Sequence, residues 1–169
     1  MGLLITYLLG ALLISFICSL MESVLLSATP TFVKINENSE KKGVRLLARF
    51  KSNVDKPLAA ILSLNTIANT AGAAMVGAQA AKVLGSESLG VVSAILTVLI
   101  LIFSEILPKP LGSNNWQRLA GLVGYLINCT YILTYPLVMM SQVLTRLLKR
   151  NDTGHTTSRE EISALANIG

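Results

Sequence analysis

The residues best suited to chemistry in this sequence are a carboxylate and an amine near the end of a long apolar run. Residues 89–112 are mostly aliphatic, but Glu105 lies within them and Lys109 follows it one helical turn later. A charge at bilayer depth costs roughly 2.5–3.5 kcal/mol on insertion scales, and such residues usually face a bundle interior or a cavity. The position of Glu105 within this apolar run therefore indicates a functional site. The alternative is a plain ion pair with Lys109 near the membrane surface.

Two prolines beside this pair change the expected backbone. Pro108 has no N–H to donate to the carbonyl of Ser104, and Pro110 has none to donate to that of Ile106. We therefore expect the helix to end with two freed carbonyl oxygens beside a carboxylate. Hard oxygen donors of this kind suit a small hard cation such as Mg²⁺.

Two other apolar segments carry polar side chains that could complete a cation site. In the first, serines recur at every fourth position from Ser15 to Ser27 and form a stripe on one helix face. In the second, Asn65 and Asn69 share a face, and an unpaired amide in hydrocarbon is costly. The alternative is that these groups only bond their own backbone or a neighbouring helix. The candidate metal ligands are Ser19, Ser23, Asn65 and Glu105, and the secondary candidates are Glu22, Asn69, Ser63, Ser104, Lys109 and Pro108.

The composition is typical of an integral membrane protein. The chain has 169 residues, of which 52% are hydrophobic and 14% are charged, and the charges are unevenly placed. Roughly 20 apolar residues cross the hydrocarbon, so we expect an all-α fold with three spans at about residues 3–27, 58–81 and 89–108. The first segment lacks a basic start and a cleavage site, so it predicts a span and not a removed signal peptide.

The basic residues predict the orientation of these spans. Lysine and arginine crowd the loop 28–57 and recur after the third span, so both regions are expected in the cytoplasm, with the N-terminus outside. A fourth crossing would break this charge rule. Residues 119–148 therefore predict a broken juxtamembrane helix along the cytoplasmic face. No aromatic residues alternate with the basic ones, so we do not expect nucleic acid as a partner.

Within the first loop, residues 41–53 predict a short amphipathic helix. Its apolar residues include Val44, Leu47 and Ala48, and basic residues stand opposite them. A helix of this kind lies on the membrane surface and contacts lipid headgroups.

The chain is expected to divide into two parts. We expect residues 1–150 to form the transmembrane domain. Residues 151–169 are polar, and the spacing of Ser158 and Glu161 predicts the start of a new helix, so we expect this part to be the truncated start of a cytoplasmic region.

No arrangement of residues typical of an enzyme is present in the sequence. The predicted spans contain no aspartate, and the single histidine, His155, lies in the polar tail. A serine or cysteine nucleophile would need such a base nearby. No glycine-rich phosphate loop and no zinc-type cysteine and histidine spacing occurs. We therefore expect a protein that is not an enzyme.

Three motifs in the expected order resemble those of the CorC / cyclin-M (CNNM) family of magnesium transporters. Residues 19–23, SLMES, look like the family's S-A-x-E-T, and residues 61–69, ILSLNTIAN, look like its L-I-G-N-x-x-x-N. Residues 104–109, SEILPK, look like its G-E-I-x-P-K. The sequence departs from these patterns at residues 63–64, where I-G is usual, and at Ser104, where glycine is usual.

The resemblance implies a homodimer in the plasma membrane with three spans and a belt of juxtamembrane helices in each subunit. It implies a dehydrated Mg²⁺ bound among the three helices, with Lys109 holding Glu105 and Pro108 shaping the helix end. Several family members couple Mg²⁺ export to Na⁺ entry, and a cytoplasmic pair of CBS modules normally follows. The expected function is therefore Mg²⁺ efflux. The alternatives are a regulatory Mg²⁺-sensing anchor without transport of its own, and transport of another cation such as Co²⁺ or Na⁺.

Overall fold

The fold is known from a computed structural model, which describes the backbone of residues 1–149 and the side chains of residues 1–143. The α-helices are α1 (Gly2–Ser27), α2 (Pro30–Asn36), α3 (Lys42–Ser52), α4 (Asp55–Leu84), α5 (Leu89–Ile100), α6 (Pro108–Leu133) and α7 (Tyr135–Lys149). A 3₁₀ turn, Ser86–Ser88, precedes α5, and a π-helical segment, Leu101–Ile106, follows it. The described residues contain no strand, so the expected all-α fold is confirmed.

Three stretches of the described chain are long and apolar enough to cross a bilayer. They are α1, α4 and the helical run through residues 86–133. The three predicted spans are therefore confirmed by length and composition. The second is longer than expected, since α4 covers Asp55–Leu84 and not only residues 58–81. Which end faces the cytoplasm stays a prediction.

The end of α1 follows from local sequence. Ala28 is extended, and the hydroxyl of Thr29 accepts a hydrogen bond of 3.2 Å from the N–H of Phe32. This is an N-cap for α2, and Pro30 occupies the first helical position, where its missing N–H costs nothing. The chain therefore leaves the first span and starts a new helix within two residues.

The juxtamembrane helix follows a kink. Helix α6 begins at Pro108, before the predicted start at about residue 119, but its backbone leaves the helical region at Asn115, so a kink separates the stretch after Pro108 from the helix that follows. Prolines are tolerated in the first turn of a helix, so Pro108 and Pro110 allow a new helix to start there. Asn115 is a kink with φ −113° and ψ 16°, and its side-chain amide donates to the carbonyl of Leu111.

The expected break within this helix is present, at Thr134. Its backbone leaves the helical region, with φ −97° and ψ 12°. Its hydroxyl donates to the carbonyl of Thr130 at 2.8 Å. Pro136 follows two residues later and lacks the N–H that would continue the helix. Thr134 therefore separates α6 from α7.

The core lies where α1 packs against α4 and α6, beside α3. Its buried residues come from all four helices and are Cys18, Met21, Val24, Leu25, Leu47, Ile61, Ala120, Val123 and Ile127. Because most of them lie in the second half of α1 and the middle of α6, this end of the bundle is fixed by packing.

The amphipathic helix α3 forms as expected, and its apolar face packs inside the protein. Leu47 and Ala48 are fully buried, and α3 packs on α6. A Cβ on Gly43 would overlap the carbonyl of Gly121, and one on Gly124 would overlap the carbonyl of Gly43. The glycines therefore let the two helices approach closely, and α6 covers the apolar face of α3. Contact of the basic face with lipid headgroups stays a prediction.

The chain divides into two compact units. The first is Met1–Val138, and the second begins at Met139. The described part of the second unit is the end of α7, up to Lys149. The predicted cytoplasmic region 151–169 lies outside the described residues.

Candidate metal site

The first polar contact between spans joins α1 and α4. The hydroxyl of Ser15 is buried and donates to Oδ1 of Asn65 at 2.6 Å. Further along, Gly72 packs against Ala11 so closely that a Cβ on the glycine would overlap the Ala11 side chain. Small residues allow membrane helices to approach in this way. The two contacts show that α1 and α4 are antiparallel, and they fix the register between them.

Glu105 lies in a π-helical segment that the sequence analysis did not foresee. The N–H of Leu107 donates to the carbonyl of Ile102, five residues earlier, at 3.0 Å. A π-helical turn holds an extra residue, which rotates the side chains that follow, and such turns are frequent at functional sites. The two prolines after this segment indicate in the sequence that the helix is irregular here, but they do not predict a π-helical turn.

The prolines free more carbonyls than the two predicted. Pro108 and Pro110 have no N–H, and the N–H of Leu111 bonds a carbonyl beyond this group. The N–H of Lys109 is then the one backbone donor left for the four carbonyls of residues 103–106. At least three carbonyl oxygens therefore lack a helical hydrogen bond, next to the carboxylate of Glu105.

Three buried side-chain oxygens have no hydrogen-bond partner among the described residues: Oγ of Ser19, Oδ1 of Asn69 and Oγ of Ser104. Ser19 and Ser104 are 0% exposed. Leaving such a group unpaired costs about 1–3 kcal/mol, and each case in a native protein calls for an explanation. Because α1 packs against the π-helical segment, Ser19 and Ser104 belong to contacting elements. An oxygen-ligated cation would satisfy both.

The two asparagines of α4 take different places. Asn65 bonds Ser15. In the antiparallel register, Asn69 lies about 6 Å further along α4, given a rise of roughly 1.5 Å per residue. That direction leads towards Ala11 and away from Ser19. Asn65 is therefore the better placed of the two for a site near Ser19.

Ser23 contacts the start of α6. Its hydroxyl donates to the carbonyl of Lys109 at 2.6 Å. A Cβ added to Gly112 would lie 2.8 Å from the Ser23 Cβ and 3.1 Å from the carbonyl oxygen of Leu20, so the glycine is needed for this approach. A hydroxyl that donates its proton keeps its lone pairs. Ser23 can therefore still bind a cation.

Glu105 and Lys109 form the ion pair that the sequence offered as the alternative. Oε2 of Glu105 lies 2.8 Å from Nζ of Lys109, and the two side chains are 37% and 52% exposed. The carboxylate is thus at the edge of the packed core and not inside it. The pair uses one carboxylate oxygen, and Glu22 of α1 also acts electrostatically on Lys109.

The other secondary candidates have structural roles. The hydroxyl of Ser63 donates to the carbonyl of Ala59 at 2.7 Å, which is the backbone bond expected of a serine in a membrane helix. Pro108 is buried and begins α6. The structure does not bring either of them to the Ser19 and Ser104 oxygens by a described contact.

The donors at this site are of one chemical kind. Among residues 1–143, no three histidine, cysteine, aspartate or glutamate side chains lie close enough to hold a metal together. The available groups are hydroxyls, an amide, backbone carbonyls and the carboxylate of Glu105. This donor set is typical of a hard cation such as Mg²⁺ and not of zinc.

Comparison with known proteins identifies the family. Residues 5–169 match the family described as CNNM, cyclin M transmembrane N-terminal domain. The UPF0053 protein sll1254 of Synechocystis sp. is 32% identical over 158 residues, which is 94% of this chain and 46% of that protein. The UPF0053 inner membrane protein YfjD of Escherichia coli is 26% identical over 113 residues, 65% of this chain and 26% of that protein.

A plant relative shares the same region. The chloroplastic DUF21 domain-containing protein At1g55930 of Arabidopsis thaliana is 29% identical over 136 residues, 80% of this chain and 20% of that protein. This chain therefore spans less than half the length of each of these three relatives. The match over nearly all of its residues shows that the chain belongs to the cyclin M transmembrane N-terminal domain family.

Proposed function

We propose that this domain carries Mg²⁺ across a membrane through an oxygen-lined site between α1, α4 and the π-helical segment. The observation that carries the proposal is the pair of fully buried hydroxyls of Ser19 and Ser104, which lie on contacting elements and have no hydrogen-bond partner within residues 1–143. Such groups destabilise a protein, because each has lost its hydrogen bonds to water without gaining a new partner, at a cost of about 1–3 kcal/mol. A bound cation would offset that cost.

The ligands of the proposed site are all oxygens. Mg²⁺ takes six of them at about 2.0–2.1 Å and gives up water reluctantly. Ser19, Ser104, Asn65 and Glu105 would supply side-chain ligands, and the carbonyls freed by the prolines would supply the remainder. Ser23 is a further candidate, since its oxygen keeps its lone pairs.

Lys109 would serve as a counter-ion that the cargo replaces. The Lys109 ammonium neutralises Glu105 at 2.8 Å, and Mg²⁺ would have to compete with it for the carboxylate. Because the lysine side chain is half exposed and flexible, it can move aside when the cation binds and return when the cation leaves. In this exchange a positive charge, either Lys109 or the cation, would always lie beside the Glu105 carboxylate at bilayer depth.

The wider function is part of the same proposal. Family membership supports efflux of Mg²⁺ coupled to Na⁺ entry, a homodimer in the plasma membrane, and a cytoplasmic CBS pair in the full-length protein. The proposed domain transports an ion and is not an enzyme. The cytoplasmic placement of residues 28–57 and of the C-terminus rests on their basic residues.

Flux through purified protein tests the proposal. The wild-type chain, the variant Glu105→Gln and the variant Glu87→Gln are reconstituted in liposomes that contain a Mg²⁺-sensitive dye. Glu87 is a matched control because it lies in the exposed 3₁₀ turn, away from the site. We expect Mg²⁺ flux in the wild type and in Glu87→Gln, and none in Glu105→Gln. Normal flux in Glu105→Gln would refute the assignment of this residue.

Measuring Mg²⁺ binding beside the flux, and repeating the assay with dyes for Co²⁺ and Na⁺, separates the rival functions. A wild-type protein that binds Mg²⁺ but shows no flux would be a sensing anchor, and the transport proposal would be abandoned. Flux of Co²⁺ or Na⁺ that Mg²⁺ does not inhibit would show that the cargo is another cation.

A further inference from the structure

A cavity with several charged residues in its lining lies between α2, α3 and α6, away from the proposed cation site. Its volume is about 520 Å³, and its lining includes Val33, Glu37, Lys42, Arg45, Arg49 and Tyr125. Three of these side chains are cations and one is an anion, so the cavity carries net positive charge. Nothing in the proposed transport function uses it.

The two arginines are placed to bind a phosphate. Arg45 and Arg49 are one turn apart on the outward face of α3, and both are exposed. Across residues 1–143 the ion pair found is Glu105 with Lys109, so neither guanidinium is paired with a carboxylate there. Arg45 makes a long hydrogen bond of 3.4 Å to the carbonyl of Ser39. Guanidinium groups recognise phosphate oxygens in a bidentate manner.

The cavity lies at the end of the membrane spans. Two residues separate α1 from α2, and two separate α3 from α4, so α2 and α3 stand at the ends of two spans. Nζ of Lys51 also donates to the carbonyl of Leu26 at 2.8 Å, which ties α3 to the last turn of α1. The basic face of α3 is therefore held at the membrane boundary, where lipid headgroups are found.

Exposed apolar side chains lie on two of the helices that form the cavity. On α6, Leu122 and Tyr125 are 58% and 52% exposed and lie three residues apart on one face. On α2, Ile35 is also exposed. A free phosphate has no apolar part that could cover these side chains, whereas a lipid can place its acyl chains against them and its headgroup in the cavity. The occupant that fits both features is an amphiphile.

We propose that this cavity binds the phosphate of an anionic phospholipid headgroup, with Arg45 and Arg49 as its ligands. Lys42 adds positive charge, and Tyr125 stands at the boundary between the headgroup and the acyl chains. Basic pockets beside membrane helices bind anionic headgroups by the same physics. The bound lipid would link α2, α3 and α6 at one side of the bundle.

A lipid titration tests this inference with a matched charge control. The purified chain in a neutral detergent is titrated with dioctanoyl phosphatidylglycerol, dioctanoyl phosphatidylcholine or inorganic phosphate, and the bound species are counted by native mass spectrometry. The test variant is Arg45→Gln with Arg49→Gln. The control is Lys34→Gln with Lys56→Gln, which removes the same charge from exposed positions that do not line the cavity.

We expect the test variant to bind phosphatidylglycerol about thirty-fold more weakly than the wild type, since each basic residue contributes about fivefold. The control should change less than about twofold, and the thermal stability of both variants should match that of the wild type. Equal losses in the two variants would overturn the inference, because they would reflect general attraction to a basic surface. Equal binding of phosphatidylcholine, or equally tight binding of inorganic phosphate, would overturn it as well.

Discussion

Replacing Gly112 by alanine tests whether the contact between α1 and α6 is as tight as the structure shows. The new Cβ would lie 2.8 Å from the Cβ of Ser23 and 2.9 Å from its Oγ. Carbon atoms in contact prefer about 3.5–4.0 Å, so α6 has to move away from α1 by roughly 1 Å. A change of rotamer cannot relieve this clash, because the Cβ of Ser23 is fixed by the backbone.

The expected cost follows from this overlap. Overpacking of this kind costs about 1–3 kcal/mol, and the gain from replacing glycine in a helix returns about 0.5–1 kcal/mol. From the middle of each range the net loss is about 1 kcal/mol, which lowers Tm by roughly 2–4 °C for a chain of this size. The 2.6 Å bond from Ser23 to the Lys109 carbonyl should also lengthen or break, and Mg²⁺ binding should weaken with it.

Thermal unfolding in detergent, with and without Mg²⁺, measures both effects. The matched control is Gly77→Ala in α4, where a Cβ meets nothing within 4 Å, so this variant should be as stable as the wild type or slightly more. If Gly112→Ala unfolds at or above the temperature of the control, the proposed close approach of α6 to α1 is wrong. If it is less stable but binds Mg²⁺ as the wild type does, Ser23 lies outside the cation site.

Two further substitutions probe the site directly. Ser104→Ala removes a buried hydroxyl without a partner, so the variant should be as stable as the wild type or about 1 kcal/mol more stable without Mg²⁺. Its Mg²⁺-induced rise in Tm should shrink, and an unchanged rise would remove Ser104 from the ligand set. Lys109→Gln removes the cation that competes for Glu105, so Mg²⁺ should bind about fivefold more tightly in isothermal titration, as expected for an exposed pair worth up to about 1 kcal/mol. Weaker binding would instead show that Lys109 positions the carboxylate.

The sequence predicted the site from local chemistry alone, and the structure supplied contacts that no pattern contains. The serine stripe identified the polar face of α1, but it did not distinguish Ser15, which bonds Asn65, from Ser19, whose oxygen is unpaired. The difference depends on what the neighbouring helix presents at each turn. Gly112 gave no signal either, because a glycine needed for close approach looks like any other glycine until the opposing helix is in place.

An amphipathic pattern has a similar limit. It predicts that the apolar face of α3 is buried but not against which surface, and the packing of Gly43 against α6 decided that. The prolines predicted the end of a helix after residue 106, but not that they occupy the first turn of a new helix that runs to the kink at Asn115.

The sequence by itself determined the membrane class, the three spans and the polar residues able to bind a cation, since apolar length and side-chain chemistry are local properties. It also determined the family, through three short motifs. The π register around Glu105, the pairing of Ser15 with Asn65 and the unpaired oxygens of Ser19 and Ser104 were decided only by tertiary structure. The last two depend on the distance between residues far apart in the chain, and that distance is set by how closely the helices pack. The π register is local, but the sequence does not distinguish it from an α-helical one.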